Sequence, residues 1–226
     1  MPFEDLAGRV TEVRQRIEAA VPRGGHGQSV TLVAVTKTHG ADAVRAASAA
    51  GLADVGENKV QEALAKMAEV ELPVRWHLIG HLQRNKVKSL SSFHLFHALD
   101  SARLADAVDT VGRARGTPVD VLVQVNVVGE ETKGGFSLDE LPPEADRLHG
   151  LEGVRVRGAM TMAPLDADES MLRRVFAGCR RAREVLRAAG HPATELSMGM
   201  SNDYEIAVEE GATLVRLGTV LFGARA

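Results

Sequence analysis

Val30-Thr31-Leu32-Val33-Ala34-Val35-Thr36-Lys37 is an apolar, β-branched run that ends in a lysine and lies between Gly27 and Gly40. Its length and composition read as a buried strand rather than a helix. Side chains alternate along a strand, so Val33, Val35 and Lys37 share one face, and Leu32, Ala34 and Thr36 the other. A lysine that continues an apolar face is costly to bury charged, and burial lowers its pKa toward neutrality. A neutral amine there is a nucleophile suited to Schiff-base formation with an aldehyde. The plainer alternative is a strand-end lysine that snorkels into solvent.

Outward from this run, the chain repeats one pattern: a short apolar stretch, then helical spacing. Upstream, Leu6, Val10, Val13, Ile17 and Ala20 predict a helix that Pro22-Arg23-Gly24-Gly25 closes. Downstream, strands are expected at 53–56, 75–79, 95–99, 119–125, 154–162, 194–198 and 213–217. Helices are expected between them at 41–50, 59–71, 83–90, 100–115, 138–148, 168–189 and 202–210, with a last half-turn over 218–224. In the 59–71 helix the apolar pattern is Val60, Leu64, Met67 and Val70. Strand–helix alternation implies parallel strands, and eight units satisfy a closed (β/α)8 TIM-type barrel. We therefore expect an α/β chain forming one domain over residues 1–226, with an extra N-terminal helix that covers the barrel or serves a partner. A doubly wound open sheet is the alternative, but its glycine-rich dinucleotide fingerprint is absent after the first strand.

Composition narrows the function classes. With 45% hydrophobic and 25% charged residues, the chain has material for a sizeable core. A net charge of −3 gives no general attraction to nucleic acid or to an anionic membrane. The single cysteine, Cys179, excludes an intramolecular disulfide and fits a reducing compartment; in an arginine-rich helix it reads as a small, half-buried apolar residue. No stretch approaches the roughly 20 apolar residues needed to span a bilayer. The charged, amphipathic N-terminus is not of signal-peptide type, so a cytoplasmic protein is expected.

In a barrel of this kind functional groups sit at the carboxyl ends of the strands. Those ends are Lys37, Asn58, His81, Asp100, Asn126, Met162, Ser201 and Gly218-Thr219. Ser201-Asn202-Asp203 opens a helix, where free N–H groups favour an anion, although Ser201 alone also reads as an ordinary N-cap. Gly218-Thr219 adds a close-approaching backbone and a hydroxyl at the adjacent strand end, the recurrent phosphate position of this architecture. Arg216 lies two residues earlier on the inward face, placed to clamp a phosphate, face a ligand ring or form an internal ion pair with Glu57. An amine, a phosphate cradle and an inward arginine together suggest pyridoxal 5′-phosphate, which has both an aldehyde and a phosphate.

Other patterns carry less. His77 and His81 would share a strand face about 13 Å apart; neither they nor His94 and His97 have cysteine or Glu-x-x-His support, so no metal is expected. Arg84, Lys86 and Lys88 read as a solvated face. The glycine-containing loop 129–135 lacks phosphate-loop spacing and opens no helix.

Several segments in combination resemble the pyridoxal-phosphate homeostasis proteins. They are Ala34-Val35-Thr36-Lys37, Gly56-Glu57-Asn58-Lys59-Val60-Gln61-Glu62 and Trp76-His77-Leu78-Ile79-Gly80-His81-Leu82-Gln83-Arg84-Asn85-Lys86. Gln124-Val125-Asn126, Lys133-Gly134-Gly135-Phe136 and Arg157-Gly158-Ala159-Met160 extend the match. Leu196-Ser197-Met198-Gly199-Met200-Ser201-Asn202-Asp203 and Val215-Arg216-Leu217-Gly218-Thr219 complete it, so that it spans nearly the whole chain. The resemblance implies a barrel like the N-terminal domain of alanine racemase, with the cofactor held as an aldimine on Lys37. It places the phosphate on Ser201, Gly218 and Thr219, the pyridine nitrogen opposite Arg216, Asn58 near the ring or its hydroxyl, and Gly199-Met200 along the pocket wall. Lys59 departs from the tyrosine or arginine of many relatives.

The family is associated with vitamin B6 and amino-acid balance, which implies a cofactor carrier, monomeric by default, that delivers to apo-enzymes. An arginine at the ring nitrogen weakens the electron sink. The only tyrosine, Tyr204, reads as helix packing, so a second acid/base group opposite Lys37 is missing and no catalytic residue is assigned. The competing reading is a slow racemase or a lyase using the same cofactor.

Overall fold

The computed structural model describes residues 3–130 and 134–223. Strand β1 (Thr31–Val35) pairs in parallel with β2 (Asp54–Glu57) on one side and β8 (Leu214–Leu217) on the other. Through β3 (Arg75–Leu78), β4 (Leu95–Leu99), β5 (Val119–Gln124), β6 (Val154–Met160) and β7 (Glu195–Ser197) the sheet closes into a barrel whose strand order follows the chain. The expected eight-stranded parallel barrel is therefore the observed one. Its outer layer is α2 (Ala41–Ala49), α3 (Val60–Glu69), a 3-10 stretch (Arg84–Ser92), α4 (Ala102–Ala114), α5 (Leu141–His149), α6 (Glu169–Ala188), α7 (Tyr204–Glu209) and α8 (Thr219–Phe222).

The additional helix α1 (Leu6–Gly24) lies outside this ring and packs on α7, α8 and α2. It buries Leu6, Val10, Val13, Ile17 and Ala20, the stripe expected from its spacing. The helix is not closed at Pro22, which sits inside its last turn; Gly25, at φ 70°, ends it. Gly24 crosses α7 so closely that a Cβ would fall 2.1 Å from the Glu209 carbonyl oxygen.

Three local expectations change. The basic segment forms a 3-10 helix rather than an α-helix, and its buried residues Val87 and Leu90 recur at that helix's three-residue period. Helix α5 begins at Leu141, because Pro142 and Pro143 are accommodated only in a first turn; Ser137 and Glu140 hydrogen-bond each other just before it. Helix α3 turns Val60, Ala63 and Lys66 inward and leaves Leu64 38% exposed. The apolar pattern misplaces that face because Lys66 finds a buried carboxylate, as described below.

Candidate functional site

The carboxyl ends of the strands surround a cavity of about 800 Å³. Val35 and Lys37 reach it from β1 and the turn that follows, so the inward alternation read from the sequence continues past the strand's end. Lys37 is half-buried in that cavity wall. Asn58, Met200, Ser201, Arg216, Gly218 and Thr219 line the same cavity. Among the other strand-end residues, His81, Asp100 and Met162 also reach it. Asn126 does not: its side chain accepts from Glu130 N and donates to Glu130 O, closing its own loop. Within that loop, Lys133 lies outside the described residues, as does Ala224 at the end of the chain.

The segment carrying Lys37 is clamped from behind. Lys66 Nζ donates to the Thr36 carbonyl at 2.8 Å, to Glu57 Oε1 at 2.7 Å and to Glu62 Oε1 at 2.9 Å. Thr36 Oγ1 donates to Glu57 Oε1 at 2.5 Å, and Thr38 N donates to Glu62 Oε1 at 2.6 Å. Thr38 has φ 69°, and these bonds on both sides of Lys37 hold that turn. Burial pushes the Glu57 carboxyl above its ordinary range, against the hydrogen bonds from Lys66 and Thr36. The sequence reading missed this network. Its only signal was a lysine on the wrong stripe of an amphipathic helix.

Across the cavity, two short helices aim their N-termini at one place. Ser201 is not the N-cap of α7; that position belongs to Asp203, whose Oδ1 accepts from Met200 N. Ser201 Oγ instead accepts from Val220 N at 3.2 Å in the first turn of α8, tying the two loops together. Burial raises the Asp203 carboxyl above its usual range. Gly199, at φ 93°, lies behind Met200 against α7 rather than in the cavity wall; a Cβ there would fall 2.6 Å from that of Ala207.

Arg216 is 5% exposed and reaches the cavity from inside the barrel. It forms no ion pair with Glu57. Its guanidinium donates to Ser197 Oγ at 2.6 Å and to the Thr161 carbonyl at 2.9 Å. Burial lowers its pKa to about 10, far enough above neutrality to keep it charged.

The remaining titratable groups separate into rim and core. His81 is on the exposed rim, bonded to Asp100 at 2.9 Å. His77 and His97 are buried in the barrel and bonded to each other at 2.9 Å. Cys179 is fully buried rather than half-buried, and burial pushes its thiol up to about 12. Tyr204 is buried in α7, as packing predicts. Among the described residues no helix is long and apolar enough to cross a membrane.

The family model "Alanine racemase, N-terminal domain" matches residues 11–226. A pyridoxal phosphate homeostasis protein from Pseudomonas aeruginosa is 43% identical over 223 residues, covering 97% of this chain and 96% of its own. The one from Aquifex aeolicus is 41% identical over 221 residues, covering 96% and 97%. Among solved structures, that of PipY from Synechococcus elongatus with PLP bound has a TM-score of 0.86 and 38% identity, covering 96% of this chain and all of that one. Alanine racemase from Corynebacterium glutamicum, at 15% identity and TM-score 0.73, shares the fold; the match covers 99% of this chain and 61% of the racemase.

Proposed function

The chain belongs to the family of pyridoxal phosphate homeostasis proteins, and on that premise we propose that it binds pyridoxal 5′-phosphate in the upper cavity. There it would hold the cofactor for intracellular vitamin B6 and amino-acid homeostasis and pass it to apo-enzymes. The relative solved with PLP bound, at 38% identity over nearly all of both chains, supports the cofactor's identity. We further read residues 1–226 as one cofactor-binding unit, monomeric and cytoplasmic, in keeping with its one closed barrel and its lone, buried cysteine.

The single observation that carries this reading is the convergence on one cavity of an amine, a backbone-and-hydroxyl anion seat and a buried guanidinium. When bound, pyridoxal 5′-phosphate supplies an aldehyde, a phosphate and an electron-withdrawing pyridine ring. Lys37 offers its amine as the nucleophile toward that aldehyde, with its backbone fixed by the Thr36 and Thr38 clamps. Ser201, Gly218 and Thr219 receive the phosphate between the first turns of α7 and α8, where N–H groups and helix dipoles favour negative charge. A Cβ on Gly218 would lie in ordinary contact with Val35, at 3.5 Å, so the backbone here packs against the strand that leads to Lys37. Asn58 and Met200 border the ring.

Arg216 faces the ring nitrogen as a permanent donor, which leaves that nitrogen unprotonated and the ring a weak electron sink. A weak sink favours holding and release over carbanion chemistry. The test has two arms. Loaded protein is mixed with a pyridoxal-phosphate-dependent apo-enzyme, and gain of activity is followed. Separately, loaded protein is incubated with amino acids in deuterated water, and α-hydrogen exchange is measured. Transfer without exchange is expected; exchange at enzyme-like rates would make the protein a racemase or lyase instead.

A further inference from the structure

Arg216 carries a buried charge; among the described residues no carboxylate is given a hydrogen bond to it, and Asp203 acts on it through space. A buried cation with no carboxylate bonded to it is expensive, so its neutral hydrogen-bond partners must hold it in place. A row of hydrogen bonds leads from the guanidinium down the barrel interior. Arg216 donates to Ser197 Oγ at 2.6 Å on β7. Ser197 Oγ is 2.8 Å from His97 Nδ1 on β4, and His97 Nε2 is 2.9 Å from His77 Nδ1 on β3. His77 Nε2 is 2.9 Å from Asp54 Oδ1 on β2. All five residues are buried, none more than 5% exposed. Asp54 and His77 border a second cavity of about 390 Å³ at the opposite mouth, where Arg75 also grips Asp54 at 2.6 and 2.7 Å.

The direction of this row is fixed at both ends. A guanidinium has no lone pair, so Arg216 donates and Ser197 Oγ accepts. The serine hydrogen then goes to His97 Nδ1. His97, kept neutral chiefly by burial, therefore carries its proton on Nε2. It gives that proton to His77 Nδ1, and His77 donates from Nε2 to Asp54. Hydrogen bonds from His77 and Arg75 outweigh burial and keep Asp54 an ionised acceptor. Every donor in the row has one acceptor, and a cation at one end faces an anion at the other. Hydrogen bonds arranged head to tail polarise one another, so the carboxylate acts on the guanidinium through the row.

We propose that Asp54, His77, His97 and Ser197 are the positioning residues of Arg216: through this row they fix the orientation of its guanidinium at the cavity floor. The inference rests on the reading above, that Arg216 faces the cofactor ring. It extends the site by four residues, one of which (Asp54) lies at the other end of the barrel from any ligand.

Two measurements test it. In ligand-free protein with 15N-labelled histidine, long-range 15N–1H correlation spectra are expected to show His97 neutral and protonated at Nε2. His97 protonated at Nδ1 would overturn the proposal. Next, binding of pyridoxal 5′-phosphate is compared with binding of its 1-deaza analogue, in which CH replaces the ring nitrogen, for Ser197→Ala, Asp54→Asn and Arg216→Gln. Ser197→Ala is expected to weaken binding of the natural cofactor about tenfold. Asp54→Asn should do the same to a lesser degree, and both should leave the analogue's affinity unchanged. A merely structural role would weaken both ligands alike, and that result would overturn the proposal. If Arg216→Gln abolishes the preference for the natural cofactor while Ser197→Ala and Asp54→Asn keep it in full, the positioning role fails and the ring contact stands. If Arg216→Gln itself keeps the preference, the ring contact fails and this proposal with it.

Discussion

Lys66 Nζ lies 2.8 Å from the carbonyl oxygen of Thr36, the residue before Lys37, and 2.7 Å from Glu57 Oε1. The Lys66 and Glu57 side chains are 6% and 0% exposed, so neither charge can turn to water. Removing one partner strands the other. Lys66→Met is expected to destabilise the fold by about 3–5 kcal/mol in urea unfolding. The double variant Lys66→Met/Glu57→Leu should recover most of that loss. A cost below about 1 kcal/mol for the single change would show that Glu57 is protonated or hydrated without its lysine.

The anion seat gives a ligand-specific prediction. Ser201 Oγ bridges to Val220 N and borders the cavity, but it touches neither the Lys37 clamp nor the histidine row. Ser201→Ala should weaken pyridoxal 5′-phosphate about tenfold, as expected for one hydrogen bond to a charged group. Binding of pyridoxal, which lacks the phosphate, should stay within about twofold. Equal losses for both ligands would move the phosphate away from this end of the cavity. Titration followed by absorbance separates the two outcomes.

Asp54 gives a pH dependence. Burial would raise its carboxyl pKa, but the His77 and Arg75 hydrogen bonds overcome burial and hold it well below the usual carboxylate range. A depressed native pKa contributes stability above the unfolded value, about 3.9, and that stability is lost as pH falls through the native value. Between about pH 5 and pH 2 the parent protein should therefore lose more thermal stability than Asp54→Asn. Parallel Tm–pH curves would mean that Asp54 gains nothing from its partners in the folded state.

The barrel was legible because its evidence is periodic. The alternation of apolar strands with helical spacing set the strand order, and the α1 stripe of Leu6, Val10, Val13, Ile17 and Ala20 is buried as read. Lys37, Asn58, Ser201, Gly218 and Thr219 were legible as strand-end groups, Arg216 as an inward residue of the last strand and Met200 only through the family resemblance; the fold brings all seven to one cavity. Partners across the sheet were not legible. His77 and His97 are 20 residues apart in sequence, and Ser197 is 100 residues from His97, so only the closed register reveals them as neighbours. Lys66 was hidden for a different reason: Val60, Met67 and Val70 fit two overlapping helical stripes, and a buried carboxylate on β2 decided between them. Ser201 read as an N-cap, but the helix starts two residues later: Asp203 takes that position and its carboxylate turns back to Met200 N.

The most direct test is reductive trapping. The purified protein is loaded with pyridoxal 5′-phosphate, its visible absorption band is recorded, borohydride is added, and the modified residue is located by peptide mass spectrometry. The expected result is a single stable adduct on Lys37, with both band and adduct absent from Lys37→Ala. A Lys37→Ala protein that keeps the same band, or an adduct on another lysine, would contradict the assignment of this cavity as the cofactor's site.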